Sequence, residues 1–383
     1  MTDTEKKEAV LKELIELLDI PDSYYERAKA RYQSLGDWFC RDESVLKPYS
    51  PTVYPQGSFR LGTVVRPVFD CDEYDLDIVC ELLATKGDVT QAYIKELVGV
   101  EVKSYAKSKG VLSPVIERKR CWRLDYADEV KFHIDVLPCV PEDEQVRQLL
   151  RAYGVPANRA EMAIALTCLS HPEFRVRTSK WPTSNPGGYG EWFEERMKVV
   201  AEKRRILLAR AMNESVEAIP TYRLRTPMQR AIQILKRHRD VMFNDDAELK
   251  PVSMLITTLS AMGYEGEENL YDATKGILDR MLGLIRPVAP RVPNPVNPGE
   301  DFADKWSSNP QLEVNFRRWH REACRDLDAL VNAGDAKRFR DIAEKRFDWQ
   351  VSEERAEKLF GVSTPRPVPS IYIPSSPRPW RRS

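Results

Sequence analysis

Residues 56–63 read Gln56-Gly57-Ser58-Phe59-Arg60-Leu61-Gly62-Thr63, and residues 74–82 read Tyr74-Asp75-Leu76-Asp77-Ile78-Val79-Cys80-Glu81-Leu82. Side chains two apart in a strand share a face, so Leu76, Ile78 and Cys80 point one way and Asp75 and Asp77 the other, with Cα atoms about 7 Å apart. Two carboxylates at that spacing suit a hard divalent cation, which takes oxygen ligands. Gly57-Ser58 opens a turn or short helix whose backbone N–H groups, with the Ser58 hydroxyl, suit a triphosphate. Asp70 and Asp72 form a competing Asp-x-Asp, but no alternating apolar run follows them, and they are placed in the turn before the strand.

A third carboxylate comes from Lys131-Phe132-His133-Ile134-Asp135-Val136-Leu137. Phe132, Ile134 and Val136 alternate inward, leaving Asp135 on the opposite face beside His133. For Asp135 to share a cation with Asp75 and Asp77, the two strands must be neighbours. Residues 114–126 and 130–137 read as an antiparallel pair turning at Ala127-Asp128. Working outward, helices are expected over 5–19 and 23–39, with a β-like piece at 52–54. Asp88 is expected to cap a helix that runs to about Lys109 and stops at Gly110.

After Pro138 the pattern becomes helical, with candidates at 143–152, 158–169, 190–213, 227–243, 252–262, 268–285, 310–332, 335–347 and 352–360. Thr226-Pro227 is a helix start, a hydroxyl N-cap followed by proline in the first turn. Prolines at 287, 290, 293, 295 and 298 mark connectors. The tail beyond Gly361 carries six prolines and four arginines in 22 residues and is expected to be extended or disordered. The fold class expected is α+β, a small mixed sheet flanked by helices and packed against a mostly helical second lobe. The boundaries expected are 1–45 for N-terminal helices bracing the lobes, 46–140 for a catalytic core, 141–361 for the helical lobe and 362–383 for the tail.

Composition narrows the classes. The chain has 383 residues, with 59 basic and 59 acidic side chains. That neutral balance argues against coating duplex nucleic acid. The N-terminus has acids among its bases and no apolar core behind it, so it reads as no secretory signal. No run of about 18 apolar residues occurs, so nothing is expected to span a membrane. The seven cysteines are scattered with no Cys-x-x-Cys, which reads as reduced cytoplasmic thiols.

The Gly-Ser turn, the Asp-x-Asp strand and a third aspartate on a later strand together resemble the polymerase-β-like nucleotidyltransferases. Two further features are similar to the cGAS/DncV-like nucleotidyltransferases, the bacterial CD-NTases. One is Gln229 to Arg239, Gln-Arg-Ala-Ile-Gln-Ile-Leu-Lys-Arg-His-Arg, followed by Lys250-Pro251-Val252-Ser253. The other comprises Ser184-Asn185-Pro186-Gly187-Gly188-Tyr189 and the stretch from Val292 to Trp306. The resemblance covers residues 50–330.

That resemblance implies a catalytic set of Asp75, Asp77 and Asp135 holding two Mg²⁺, with Mn²⁺ as a substitute. It implies that Gln56, Gly57 and Ser58 bind nucleotide, and that Lys236 and Ser253 grip donor phosphates. The activity implied joins NTPs, ATP and/or GTP, into a cyclic di- or trinucleotide for anti-phage defence, with the effector reached through the product. It also raises operon-encoded transfer machinery acting on the C-terminus. Without zinc-ribbon His/Cys spacing, duplex DNA is not an expected activator.

Alternative activities are RNA tailing, linear 2′-5′ oligonucleotide formation, or a catalytically silent nucleotide-binding module. Phe59, Tyr189 and Trp181 are candidates to stack on a base, with ordinary packing as the competing reading. The basic run 118–120 with Arg123, and Arg196, Lys198, Lys203, Arg204, Arg205 and Arg210, read as solvated faces.

Overall fold

The computed structural model describes residues 2–68, 74–126, 132–212 and 225–360. The competing Asp70/Asp72 pair, the Ala127-Asp128 turn and the tail beyond Gly361 lie outside them.

The chain opens with α1 (Asp3–Leu18), where Thr2 and Glu5 form a reciprocal capping box, and α2 (Asp22–Cys40). Then come β1 (Thr52–Pro55), the short α3 (Gly57–Leu61), β2 (Tyr74–Glu81) and α4 (Gln91–Ser108). Next are β3 (Ile116–Glu117), β4 (Trp122–Tyr126) and β5 (Phe132–Pro141). β2 and β5 run parallel side by side, and every other pairing is antiparallel, in the order β1-β2-β5-β4-β3. A parallel pair needs a long crossover, which α4 provides. The register places Asp75 opposite His133 and Asp77 opposite Asp135. The two carboxylate-bearing strands are therefore neighbours, as the third-aspartate reading requires.

The helical half comprises α5 (Glu144–Ala152), α6 (Ala157–Ala160), α7 (Pro186–Met212), α8 (Pro227–Met242), α9 (Ser253–Gly263), α10 (Leu270–Met281), α11 (Gln311–Val331), α12 (Ala336–Phe347) and α13 (Glu353–Phe360). It also holds strands β6 (Ile164–Leu166) and β7 (Thr183–Ser184), which extend the main sheet from the far end of β5. A small hairpin, β8 (Pro293–Asn294) with β9 (Asn297–Asp301), lies within the proline-rich connector and just beyond it.

Several expectations need correcting. The predicted helix 158–169 is one turn followed by β6, because a three-residue apolar run buried on both faces carries no period that separates strand from helix. The predicted strand 114–126 is a hairpin that turns where Arg118 N–H donates to the Cys121 carbonyl at 2.9 Å. Thr90, not Asp88, caps α4, its side chain accepting from the Tyr93 N–H.

Two cores result. Leu76, Ile78 and Cys80 of β2 and Phe132, Ile134 and Val136 of β5 pack under Ile94, Val98 and Val102 of α4 and Leu35 and Phe39 of α2. Val10, Leu11 and Leu14 of α1 join Ile232 and Leu235 of α8, Ile277 of α10 and Phe316 and Trp319 of α11. Thus α1 and α2 belong to different cores, although only residues 19–21 separate them.

The cores meet along one face of α8. Gln229, Gln233, Lys236 and Arg237 fall at helical spacing, and each donates to a backbone carbonyl between residues 61 and 66. The distances are 2.9 Å to Leu61, 2.6 Å to Val64, 3.3 Å to Thr63 and 2.7 Å to Arg66. A buried polar stripe on a helix is costly unless every donor finds an acceptor. Here the extended segment after α3 supplies the acceptors, and its path is fixed in return.

Candidate active site

The polar face of the β2–β5 pair brings Asp75, Asp77 and Asp135 together, with one carboxylate oxygen of each lying within 4.8 Å of the others. Each has a distinct setting. Asp75 faces the cleft with its side chain 51% exposed, and His133 Nε2 lies 3.0 Å from its Oδ1. Asp135 is gripped from β4 by Arg123, whose Nε donates to Oδ1 at 2.8 Å and Nη2 to Oδ2 at 2.7 Å. Asp77 lies between them. Burial pushes its carboxyl up to about 7, and the charges of Asp75 and Asp135 add to that, opposed by His133 and Arg123.

Three hard oxygen donors this close, one held against its own ionisation, are a donor set that a divalent cation such as Mg²⁺ or Mn²⁺ fits. The Asp77 carboxyl is raised, so between its unfolded value near 4 and about 7 the native state binds more protons than the unfolded chain. Stability contributed by that proton is present at low pH and is lost as pH rises through about 7. A cation relieves the repulsion only once Asp77 is ionised. The rise in Tm on adding Mg²⁺ is therefore expected to be larger at pH 8 than at pH 5.5, and Asp77→Asn should abolish the difference. Thermal-shift curves at both pH values check this, and equal shifts in the wild type would sink it.

The glycine of the Gly-Ser turn has a specific duty. Gly57 has φ +66°, and a Cβ there would land on Asp77 Oδ2 and within 3.2 Å of its Cγ. The Gln56 N–H donates to the Asp77 carbonyl at 2.9 Å. The turn therefore lies directly on the strand that bears the carboxylates. Gln56 does not line the cleft; it contributes through its backbone, and its side chain makes no capping bond.

The cleft is a cavity of about 710 Å³ between the sheet and α8–α9. Gly57, Ser58, Asp75 and Asp77 line one side, and Lys236 and Ser253 line the other. Lys236 Nζ bonds the Thr63 hydroxyl at 3.1 Å, and burial, aided by the Arg239 charge, pushes its ammonium down to about 7. Ser253 accepts from Arg239 Nη1 at 2.7 Å. Asp240 Oδ1 in turn accepts from Arg239 and from Lys250 Nζ at 3.1 Å. The far wall is thus cationic on balance, facing an acidic near wall.

Sequence reasoning missed Arg239, Lys250 and Asp240 in this wall. Arg239 and Asp240 sit near the end of an amphipathic helix and Lys250 in the segment after it, positions where charged residues ordinarily face water, and nothing local distinguishes these. The aromatic side chains at the cleft are Tyr74 and Phe243. Of the stacking candidates, Tyr189 is buried with its hydroxyl 2.8 Å from that of Thr258, and Trp181 is buried in the sheet core. Phe59 packs on Tyr25 and lines a separate cavity of about 280 Å³. Arg196 is not a solvated cation either, since it caps α9 through the Ala261 and Tyr264 carbonyls at 2.8 and 2.7 Å. No described helix is long and apolar enough to cross a membrane.

Residues 51–138 match the family model of the cyclic GMP-AMP synthase DncV-like nucleotidyltransferase domain. A c-di-GMP synthase from Roseivirga ehrenbergii is 26% identical over 316 residues, covering 81% of this chain and 75% of that protein. Cyclic dinucleotide synthase CdnG of Bradyrhizobium diazoefficiens is 24% identical over 403 residues, covering 97% and 89%. The solved structure of that CdnG in complex with GTP superposes with a TM-score of 0.66 at 20% identity, covering 93% of this chain and 98% of that one. This last likeness speaks to the fold.

Proposed function

This chain being a cGAS/DncV-like nucleotidyltransferase, we propose that it joins nucleoside triphosphates into a cyclic di- or trinucleotide that serves as a second messenger in anti-phage defence. The observation that carries this reading is the convergence of Asp75, Asp77 and Asp135 within 4.8 Å, with Asp75 and Asp77 facing a cavity whose opposite wall holds Lys236 and Ser253. The names of the relatives, a c-di-GMP synthase and CdnG, favour GTP as at least one substrate.

Each residue has a task in this chemistry. An acceptor ribose oxygen attacks the donor α-phosphorus, a phosphodiester forms and pyrophosphate leaves; the same step on the linear product closes the ring. Asp75, Asp77 and Asp135 would hold Mg²⁺ or Mn²⁺. Such ions, when bound, lower the pKa of the attacking hydroxyl and neutralise the leaving pyrophosphate. Asp135 orients the acceptor hydroxyl and draws off its proton. Ser58 and the turn at Gly57 hold the donor triphosphate on the sheet side, and Lys236 and Ser253 grip it from α8 and α9. Phosphate contact gives Lys236 a counter-charge, favouring its protonated form despite burial.

The test is incubation with the four NTPs and Mg²⁺, phosphatase treatment and mass spectrometry. A phosphatase-resistant species of two or three nucleotides with no terminal phosphate is expected. Linear oligomers that lose phosphate, or growth of an added RNA primer alone, would overturn the synthase reading.

A further inference from the structure

Arg123 was read from the sequence as part of a solvated strand edge, and the structure places it elsewhere. β4 pairs with β5 so that Arg123 lies directly opposite Asp135. Its guanidinium occupies both oxygens of that carboxylate, at 2.8 and 2.7 Å. Its neighbours 118–120 are exposed in the hairpin turn, whereas the Arg123 side chain is only 24% exposed and that of Asp135 14%. A forked guanidinium–carboxylate pair fixes geometry as well as charge. Asp75 and Asp77 have no such restraint: the partner at Asp75 is the His133 ring nitrogen, through one oxygen. Among the three carboxylates, Asp135 alone is covered by a permanent cation on the protein.

We infer that Arg123 is a positioning residue that acts as the resident counter-ion of Asp135, holding the third carboxylate in its working orientation while weakening cation binding to the cluster when nucleotide is absent. The inference rests on the metal-dependent reading proposed above. Its physical basis is that a fixed positive charge beside a cation site lowers the affinity of that site, while its two hydrogen bonds suppress rotation of the carboxylate it holds. Asp75 and Asp77 stay open to an incoming cation, and Asp135 joins only by sharing oxygens already occupied. The device orders the site: cation affinity is kept low until a nucleotide triphosphate adds its own oxygens, and the third carboxylate is already aimed when that happens.

Two substitutions separate the charge from the fork. Arg123→Ala removes both, whereas Arg123→Lys keeps the charge and loses the paired geometry. Binding of Mn²⁺ alone, followed by its electron paramagnetic resonance signal without nucleotide, is expected to tighten by about tenfold in Arg123→Ala and to stay within about twofold of wild type in Arg123→Lys. Turnover of NTPs at saturating Mg²⁺ is expected to fall in both variants, through kcat and not KM for nucleotide. Tighter metal binding with slower turnover is a combination that a merely structural role does not produce, because partial unfolding weakens both. Unchanged or weaker Mn²⁺ binding in Arg123→Ala overturns the counter-ion role, and wild-type kcat in Arg123→Lys overturns the positioning role. If neither the wild type nor Arg123→Ala binds Mn²⁺, with or without a nucleoside triphosphate, the metal reading itself is overturned, which keeps the two failures distinct.

Discussion

The double substitution Asp75→Asn/Asp77→Asn is expected to reduce NTP turnover at least about a thousandfold, or about 4 kcal/mol in activation free energy, while the protein remains folded. Both halves of that expectation come from the same geometry. Asp75 and Asp77 lie on one face of β2 and project away from the core built by Leu76, Ile78 and Cys80, so asparagine at either position removes no packing. Folding is if anything helped: Asp77 sits beside Asp75 and Asp135 with its carboxyl pushed up to about 7 by burial and by their charges. A neutral amide of the same shape escapes that penalty. Function has no such compensation, because an amide oxygen carries no net charge to hold a divalent cation. The expected signature is therefore unchanged circular dichroism, an equal or higher Tm without metal, no Mg²⁺-dependent rise in Tm, and no product by mass spectrometry. Turnover near the wild-type rate in a folded double variant would remove the metal assignment for these residues.

How much of this was legible in the sequence depended on whether a residue's partner is local. The alternation of Tyr74 to Leu82 identified β2 and the outward face of Asp75 and Asp77 from period alone. The reading of Phe132 to Leu137 worked for the same reason. The pairing of these strands is non-local; it was inferred from chemical need, and the register of Asp77 with Asp135 meets that need. Arg123 illustrates the opposite case. Its neighbours Arg118, Lys119 and Arg120 are exposed, and only the hairpin that lays β4 against β5 separates its fate from theirs.

The buried stripe of α8 was also opaque, since Gln229, Gln233 and Arg237 carry polar groups that ordinarily face water. They are buried because the carbonyls of residues 61–66 need donors. That demand is set by a segment some 170 residues earlier in the chain. Three-residue β6, wholly apolar, lacked any period to read. The motif thus identified the sheet side of the cleft, while the opposite wall became visible only with its tertiary partners.

Gly57→Ala is expected to cost activity far out of proportion to stability. At φ +66° an alanine is strained by about 1 kcal/mol or somewhat more. Most proteins of this size absorb such a loss and stay folded. The larger consequence is steric, because the new methyl would overlap Asp77 Oδ2 and crowd its Cγ at 3.2 Å. The backbone of β2 cannot retreat: it is paired to β1 on one side and β5 on the other, and the Gln56 N–H is bonded to the Asp77 carbonyl at 2.9 Å. What yields is the Asp77 side chain, which must rotate away from Asp75 and Asp135, or the turn, which must lift off the sheet and carry Ser58 with it. Either movement dismantles the site, and turnover is expected to fall by about a hundredfold to a thousandfold, equivalent to about 3–4 kcal/mol, against a drop in Tm of only a few degrees. Gly87→Ala serves as the control, since a Cβ there meets nothing within 4 Å and its φ needs no glycine; that variant should retain both activity and Tm. Loss of the Mg²⁺-dependent rise in Tm in Gly57→Ala, with Gly87→Ala responding as wild type, would trace the defect to the carboxylates. A Gly57→Ala protein that turns over normally would mean that Asp77 works from a different position than the one it occupies against this turn.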